Sequence, residues 1–172
     1  TPVVKGWCTE TAQILTSLGT QIHGGMGFVE ETGAAQYQRD ARITTIYEGT
    51  TGIQASDFVG RKTLRDGGQA IGELLKEMKE TVNQMSSTYV EGREIRDSFS
   101  SSVSDLENVV DWLLLNAKDP KVVASAAVNY MLLAGVTCGG WMMARSAQIS
   151  RSHLEGGSTE KAFYESKITS AL

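Results

Sequence analysis

Proline is nearly missing from this 172-residue sequence, with only Pro2 and Pro120 present. Long stretches therefore run without a helix breaker. Cysteine is as scarce: Cys8 and Cys138 stand far apart, with no second cysteine near either. Two reduced, buried thiols are expected rather than a disulfide, and no zinc-type cluster can be assembled. Histidine occurs only at His23 and His153, so a metal site is not expected. Basic excess is also lacking. Residues 1–66 carry 6 Lys/Arg and 7 Asp/Glu, a net −1, and residues 67–172 carry 10 and 13, a net −3. Neither part can neutralise a run of phosphates, which argues against a nucleic-acid partner. No uninterrupted apolar run approaches the ~20 residues of a membrane span. No secretory signal opens the chain, and both ends read as cut from a longer polypeptide.

What remains is apolar content of 41%, enough for a packed core, with 7% aromatics. An all-α helical bundle is the natural expectation. Val4, Trp7, Cys8, Ile14, Leu15 and Leu18 recur at three- and four-residue steps, predicting a helix with one buried stripe that Gly19 stops. Glycines at 19, 24, 25, 27 and 33 make the following stretch a loop with special backbone demands. A short helix is expected from Thr32 to Arg39. Thr50 or Thr51 caps the next one, with Ile53, Phe58 and either Val59 or Lys62 on its inner side. Arg61, Lys62 and Arg65 crowd its last turn, where positive charge suits the helix dipole. Gly67-Gly68 ends it and marks the principal boundary, between units 1–66 and 67–172.

In the second unit Ile71, Leu74, Leu75, Met78, Val82 and Met85 keep helical spacing. Residues 86–102 are polar, either a loop or a weak helical continuation with Ile95 and Phe99 as its apolar marks. Val103, Leu106, Val109, Val110, Leu113 and Leu114 give another stripe. Asp119-Pro120 signals a start, and the helix from there to about His153 is apolar on more than one face, as a central helix is. Gly139-Gly140 inside it implies close helix contact or a kink. Met78, Met85, Met131, Met142 and Met143 read as core filler. Gly156-Gly157 breaks the pattern, Ser158 can cap, and a last helix starts near Thr159.

One residue stands out for chemistry. Glu48 lies between Tyr47 and Gly49, with Ile43 and Ile46 just upstream. Apolar company disfavours the charged form of a carboxylate, which suits a base that must take a weakly acidic proton and hold it. Gly49 lets a ligand approach the backbone. The plain alternative is a solvated acid near a helix start.

The order Gln21, Gly24-Gly25, Arg39-Asp40, Tyr47-Glu48-Gly49-Thr50 and Gln54 resembles the carboxy-terminal signature of the acyl-CoA dehydrogenases, which are FAD-dependent flavoenzymes. The resemblance covers residues 1–66. Residues 67–172 are similar to the helical extension of a larger bacterial subgroup that includes methylthiopropionyl-CoA dehydrogenases. The resemblance implies that Glu48 is the base that removes the α-proton of an acyl-CoA thioester, while the β-hydrogen leaves as hydride to the flavin. It implies that the Gly49 amide polarises the thioester carbonyl. It assigns Gln21, Ile22, His23, Gly24 and Gly25 to the adenine-diphosphate end of FAD, usually that of a neighbouring subunit, and Thr50 and Gly52 to further FAD contact. At Gly52, where relatives often carry a polar side chain, only backbone contact is expected. Arg39 and Asp40 read as a structural ion pair or loop clamp. The family's other two domains are absent, so these 172 residues alone are expected to be inactive. The family further implies a homo-oligomer, an electron-transfer flavoprotein or similar acceptor, and a bacterial cytoplasmic setting. The rival reading is a helical subunit-assembly module whose signature is vestigial. A third, a duplex-DNA-binding extension, is opposed by the net −3 of residues 67–172.

Overall fold

The computed structural model describes residues 1–85 and 89–172. Every regular element among them is helical. A π-helical turn, Val4–Cys8, leads into α1 (Thr9–Ile22). A short α2 (Gly25–Phe28) and a 3-10 turn (Glu30–Thr32) precede α3 (Ala34–Ile43). Then come α4 (Thr51–Val59), extended by a second π-helical turn (Gly60–Leu64), and α5 (Gln69–Gln84). The long helices α6 (Val90–Leu115) and α7 (Pro120–Glu155) follow, and α8 (Lys161–Thr169) ends the chain.

The chain folds as two compact units. One comprises Thr1–Arg65 with Asn116–Gly135; the other comprises Asp66–Leu115 with Val136–Leu172. The first half of α7 thus belongs to the first unit and its second half to the other. Asp119 caps α7, its Oδ1 accepting from the backbone N–H of Lys121 (3.0 Å) and Val122 (3.2 Å). Proline at the first helical position costs nothing there, because its missing N–H would have had no intrahelical acceptor.

In the first unit, the core is built where α4 meets α7. Phe58 stacks on Tyr130 with ring centroids 4.6 Å apart. Tyr130 is fully buried, and its hydroxyl lies 2.8 Å from Thr63 Oγ1, which itself donates to the Phe58 carbonyl at 3.1 Å. Burying two hydroxyls is tolerable only because they satisfy one another. Tyr130→Phe should therefore lower stability by about 1 kcal/mol or more, since its hydroxyl gives up the hydrogen bond with Thr63 while Thr63 keeps the Phe58 carbonyl. A urea titration measures this, and a loss above about 3 kcal/mol would mean the hydroxyl holds more than this pair.

In the second unit, Ile71, Leu75 and Met78 of α5 are buried together with Ile95, Phe99, Val103, Leu106, Val110 and Leu113 of α6. The second half of α7 contributes Ala144 and Ala147. Polar groups are paired across this core: Trp141 Nε1 donates to Thr81 Oγ1 at 2.8 Å, and Ser102 and Thr137 share a 2.9 Å hydrogen bond. The polar stretch 86–102 is helical from Val90 onward, while residues 86–88 lie outside the described residues.

α7 is long and apolar enough to cross a membrane by length and composition, with 39% of its most apolar window buried. Part of that composition is core packing, with Tyr130, Met131 and Ala134 buried in one unit and Ala144 and Ala147 in the other.

Several sequence expectations need correction. α1 does not stop at Gly19; it continues to Ile22 and ends at His23 and at Gly24, whose φ is +62°. Its stripe is not buried: Ile14, Leu15 and Leu18 are exposed, as are Val4 and Cys8, since none of the described residues covers that face. Ile53 and Lys62 are exposed, leaving Phe58 and Val59 as the inner side of α4. Met142 and Met143 are exposed too, whereas Met78, Met85 and Met131 are core. Both cysteines are free, and burial pushes the Cys138 thiol above its ordinary value.

Candidate functional site

The turn that carries Glu48 is tied at both ends. Lys5 Nζ donates to the Thr44 carbonyl, and the Lys5 ammonium sits 5.3 Å from the Tyr47 ring centroid. The Thr51 N–H donates to the Thr45 carbonyl at 3.3 Å, and Thr51 Oγ1 donates to Glu10 Oε1 of α1. Thr45, itself part of the turn, is buried.

Between these ties the backbone takes an uncommon path. Glu48 has φ +53° and is the one non-glycine residue with positive φ among the described residues. Gly49 follows at φ +96°. A left-handed residue with a Cβ is strained by about 1–2 kcal/mol, and such strain is held where surrounding structure fixes it. Here Gln54 supplies one fixing bond, its Nε2 donating to the Glu48 carbonyl at 3.2 Å. Thr50 is the N-cap of α4, extended at ψ 165°, with Oγ1 accepting from the Ile53 N–H at 3.4 Å. Nothing among the described residues accepts its hydroxyl proton. Among the described residues no acceptor meets the Gly49 N–H. The arrangement thus presents a carboxylate-bearing residue, a free amide and a free hydroxyl proton on consecutive positions.

The apolar company expected around Glu48 is itself at the surface: Ile43, Ile46 and Tyr47 are each about half exposed, and Glu48 is exposed. These residues alone do not desolvate its carboxylate. Gly52 is exposed as well.

The loop at the end of α1 is a separate feature. Gln21, Ile22, His23, Gly24 and Gly25 are all exposed. His23 Nδ1 lies 2.8 Å from the Gly19 carbonyl, so the proton assigned to Nδ1 caps the helix end. The Gly24 N–H donates to the Gln21 carbonyl at 3.0 Å. A Cβ at Gly24 or Gly25 would meet nothing within 4 Å, so the backbone there is open to an approaching group. At Gly27 the opposite holds, since a Cβ would run into the Thr20 carbonyl. The loop and the Glu48 turn are not brought together. Glu10, which bonds Thr51, is eleven positions before Gln21, about 17 Å along the helix axis.

Arg39 does form a loop clamp, but not with Asp40. Its guanidinium donates twice to Glu30, at 2.7 and 2.6 Å. The hydrogen bonds from Arg39 hold the Glu30 carboxyl below its ordinary range, and Glu30 raises Arg39 in turn. Asp40 instead accepts from Gln36 at 3.4 Å. Among the described residues no group of His, Cys, Asp and Glu could hold a metal ion.

Residues 1–62 match the family described as acyl-CoA dehydrogenase, C-terminal domain, and residues 74–172 match the one described as acetyl-CoA dehydrogenase C-terminal like. This chain belongs to the acyl-CoA dehydrogenase family. It is 42% identical to 3-methylmercaptopropionyl-CoA dehydrogenase of Ruegeria pomeroyi over 99% of its length. It is 32% identical, over 99% of its length, to the broad-specificity linear acyl-CoA dehydrogenase FadE5 of Mycobacterium tuberculosis. A butyryl-CoA dehydrogenase of Syntrophomonas wolfei is 27% identical over 98%. The chain spans 29%, 29% and 28% of these three acyl-CoA dehydrogenases respectively.

Sequence reasoning quoted Gln54 without giving it a task, and it missed Lys5 and Glu10. Gln54 could have been found from its place four residues after the cap Thr50. The other two act across 39 and 41 residues and carry no local signal.

Proposed function

We propose that the protein containing this chain desaturates an acyl-CoA thioester between its α and β carbons, with Glu48 as the base for the α-proton. The observation that carries this reading is the left-handed Glu48–Gly49 pair, held in place by bonds from outside the turn. Strain kept at a carboxylate in an enzyme family is more economically explained by chemistry than by folding.

In this reading the Glu48 carboxylate accepts the α-proton while the Gly49 N–H donates to the thioester carbonyl, where charge develops. A donor aimed at that oxygen is worth roughly 10²–10³ in rate. FAD, when bound, supplies the acceptor for the β-hydride. The residues fit such a group in two places. The open backbone at Gly24 and Gly25, with Gln21, Ile22 and His23, suits a phosphate-bearing end. Thr50, with its spare hydroxyl proton, and the bare backbone of Gly52 suit the other. Because about 17 Å of α1 separates them, they serve either different ends of one cofactor or the cofactors of neighbouring copies.

The exposed apolar face of α1, with Phe28 82% exposed beyond it, supports the reading that the working form is a homo-oligomer or is covered by other parts of a longer polypeptide. We read residues 1–66 as the end of the dehydrogenase's carboxy-terminal domain and 67–172 as its helical extension. The free thiols at Cys8 and Cys138 suit a reducing compartment such as the bacterial cytoplasm. An electron-transfer flavoprotein or similar acceptor is the expected partner, and nucleic acid is not.

The test of the base is loss of turnover in Glu48→Gln with flavin retained. A second test concerns the 172 residues alone. With Glu48 exposed, they should purify colourless and inactive. Stoichiometric flavin absorbance in that preparation would show that the site is more complete than described.

A further inference from the structure

We propose that Lys5 and Glu10 are positioning residues that together hold the turn carrying Glu48 by its two ends, an inference that rests on Glu48 acting as the base. The ends of this turn meet, because the Thr51 N–H donates to the Thr45 carbonyl at 3.3 Å. On the entering side, Lys5 Nζ donates to the Thr44 carbonyl and stands 5.3 Å from the Tyr47 ring centroid. On the leaving side, Glu10 Oε1 accepts from Thr51 Oγ1. Both side chains are half-buried. Their charges serve the turn, since among the described residues neither Lys5 nor Glu10 forms an ion pair. A hydrogen bond with one ionised partner is about twice as strong as a neutral one, so two of them make a firm clamp.

The helix is shaped to bring both residues to the turn. Five residues of α-helix rotate through about 500°, which would leave Lys5 and Glu10 pointing about 140° apart. Lys5 instead lies in the π-helical turn Val4–Cys8, and Glu10 follows directly in α1. Bonding from i to i+5 widens the turn and carries the residue five positions on back toward the side of the first. A cation and a carboxylate five positions apart thereby reach one short segment. Such π-turns are rare and frequently mark functional places. This one is supported locally: Thr9 Oγ1 donates to the carbonyls of Lys5 (2.6 Å) and Gly6 (3.2 Å). It is also seated against α7, since a Cβ at Gly6 would overlap the end of Met131 and a Cβ at Gly135 would overlap Trp7. The platform is thus rigid, and the clamp passes that rigidity to Glu48, whose left-handed backbone needs support from outside the turn. Misplacing a reacting group by about 1 Å costs roughly 10²-fold in rate, which is the scale such a clamp protects.

The experiment uses the full-length flavoprotein, with the rate taken per bound flavin. The substrate is whichever of butyryl-CoA and 3-methylmercaptopropionyl-CoA the wild type turns over faster. Lys5→Met and Glu10→Ala each cut one tie, and Glu10→Gln keeps an oxygen that can accept from Thr51. Lys5→Met and Glu10→Ala should retain FAD and bind substrate within about twofold of wild type, while kcat falls roughly 10- to 100-fold. The kinetic isotope effect with α-deuterated substrate should rise in both, because α-proton removal becomes the slow step. Glu10→Gln should bring kcat back to within about threefold of wild type. The double variant should lie within about threefold of the slower single variant, because a base freed at one end has already lost its aim. A merely structural role would lower the yield of flavoprotein and leave the rate per flavin and the isotope effect unchanged. If either folded variant keeps kcat within about twofold, or if the two losses multiply in the double variant, while Glu48→Gln is inactive, the joint clamp is wrong and the base stands. If Glu48→Gln is itself active, the reading beneath it is wrong. Should one variant fail to fold, the other tie decides.

Discussion

Glu48→Gln in the full-length protein should lower the rate of α,β-desaturation by roughly 10²–10⁴ while flavin content stays at the wild-type level. The substitution keeps length, volume and backbone preference but removes the only group in the turn that can take a proton. Glu48→Asn makes a complementary point. Asparagine tolerates the left-handed region better than glutamate does, and Glu48 sits at φ +53°. The Asn variant should be as inactive as the Gln variant yet no less stable than wild type in a thermal melt. This combination separates a catalytic carboxylate from a structural one. A structural carboxylate would lose stability in both variants and would leave turnover per folded molecule unchanged. Activity within about threefold of wild type in Glu48→Gln would favour the rival reading, a helical assembly module with a vestigial signature.

The features legible in the sequence were those with local causes. Thr50 is read as a cap because a hydroxyl at that place meets an orphan amide three residues on, and it does so. Asp119-Pro120 is read as a helix start for the same kind of reason. The stripes of α5 and of the later part of α6 come from apolar residues at helical spacing, and they are buried except for Leu74, Val82, Val109 and Leu114, which are half-buried. The early part of α6 reads equally as loop or helix in the sequence because its apolar residues are sparse. Ile95 and Phe99 are four apart and continue the phase of Val103 and Leu106, so two residues carry the face that more usually carry it. Gly19 misled because a glycine stops a helix only when it takes the left-handed conformation. Here the helix runs on to His23, whose ring caps the Gly19 carbonyl, and Gly24 then turns the chain away at positive φ (+62°). The α1 stripe misled for another reason. Periodicity reports which face is apolar, not which part of a larger protein covers it. Within the candidate site the motif points to Glu48 and Gly49, but the ties that hold their turn, Lys5 to Thr44 and Glu10 to Thr51, join distant positions without any spacing rule.

Two glycines that sit against side chains should respond very differently to the same added methyl. Gly6 and Gly135 both lie in helical backbone, where alanine is favoured over glycine by about 0.5–1 kcal/mol. At Gly6 the new Cβ would overlap the terminal methyl and sulfur of Met131. Those atoms end a flexible chain with three rotatable bonds, so a rotamer change can yield space. Met131 is fully buried, so the shift must be absorbed in the core, and the two effects should nearly cancel. At Gly135 the new Cβ would overlap the root of Trp7, coming 2.5 Å from its Cβ and 2.6 Å from Cδ1 as well as meeting Cγ. An indole cannot rotate away at its own root, so α7 and the π-helical turn carrying Trp7 would have to separate. Overpacking of that kind costs about 1–3 kcal/mol, and more where a rigid ring is involved. Gly135→Ala should therefore destabilise by about 2 kcal/mol or more, while Gly6→Ala stays within about 1 kcal/mol of wild type. Paired denaturant midpoints at equal slope decide it. Equal effects at the two positions would mean that Trp7 is not seated against Gly135 in solution.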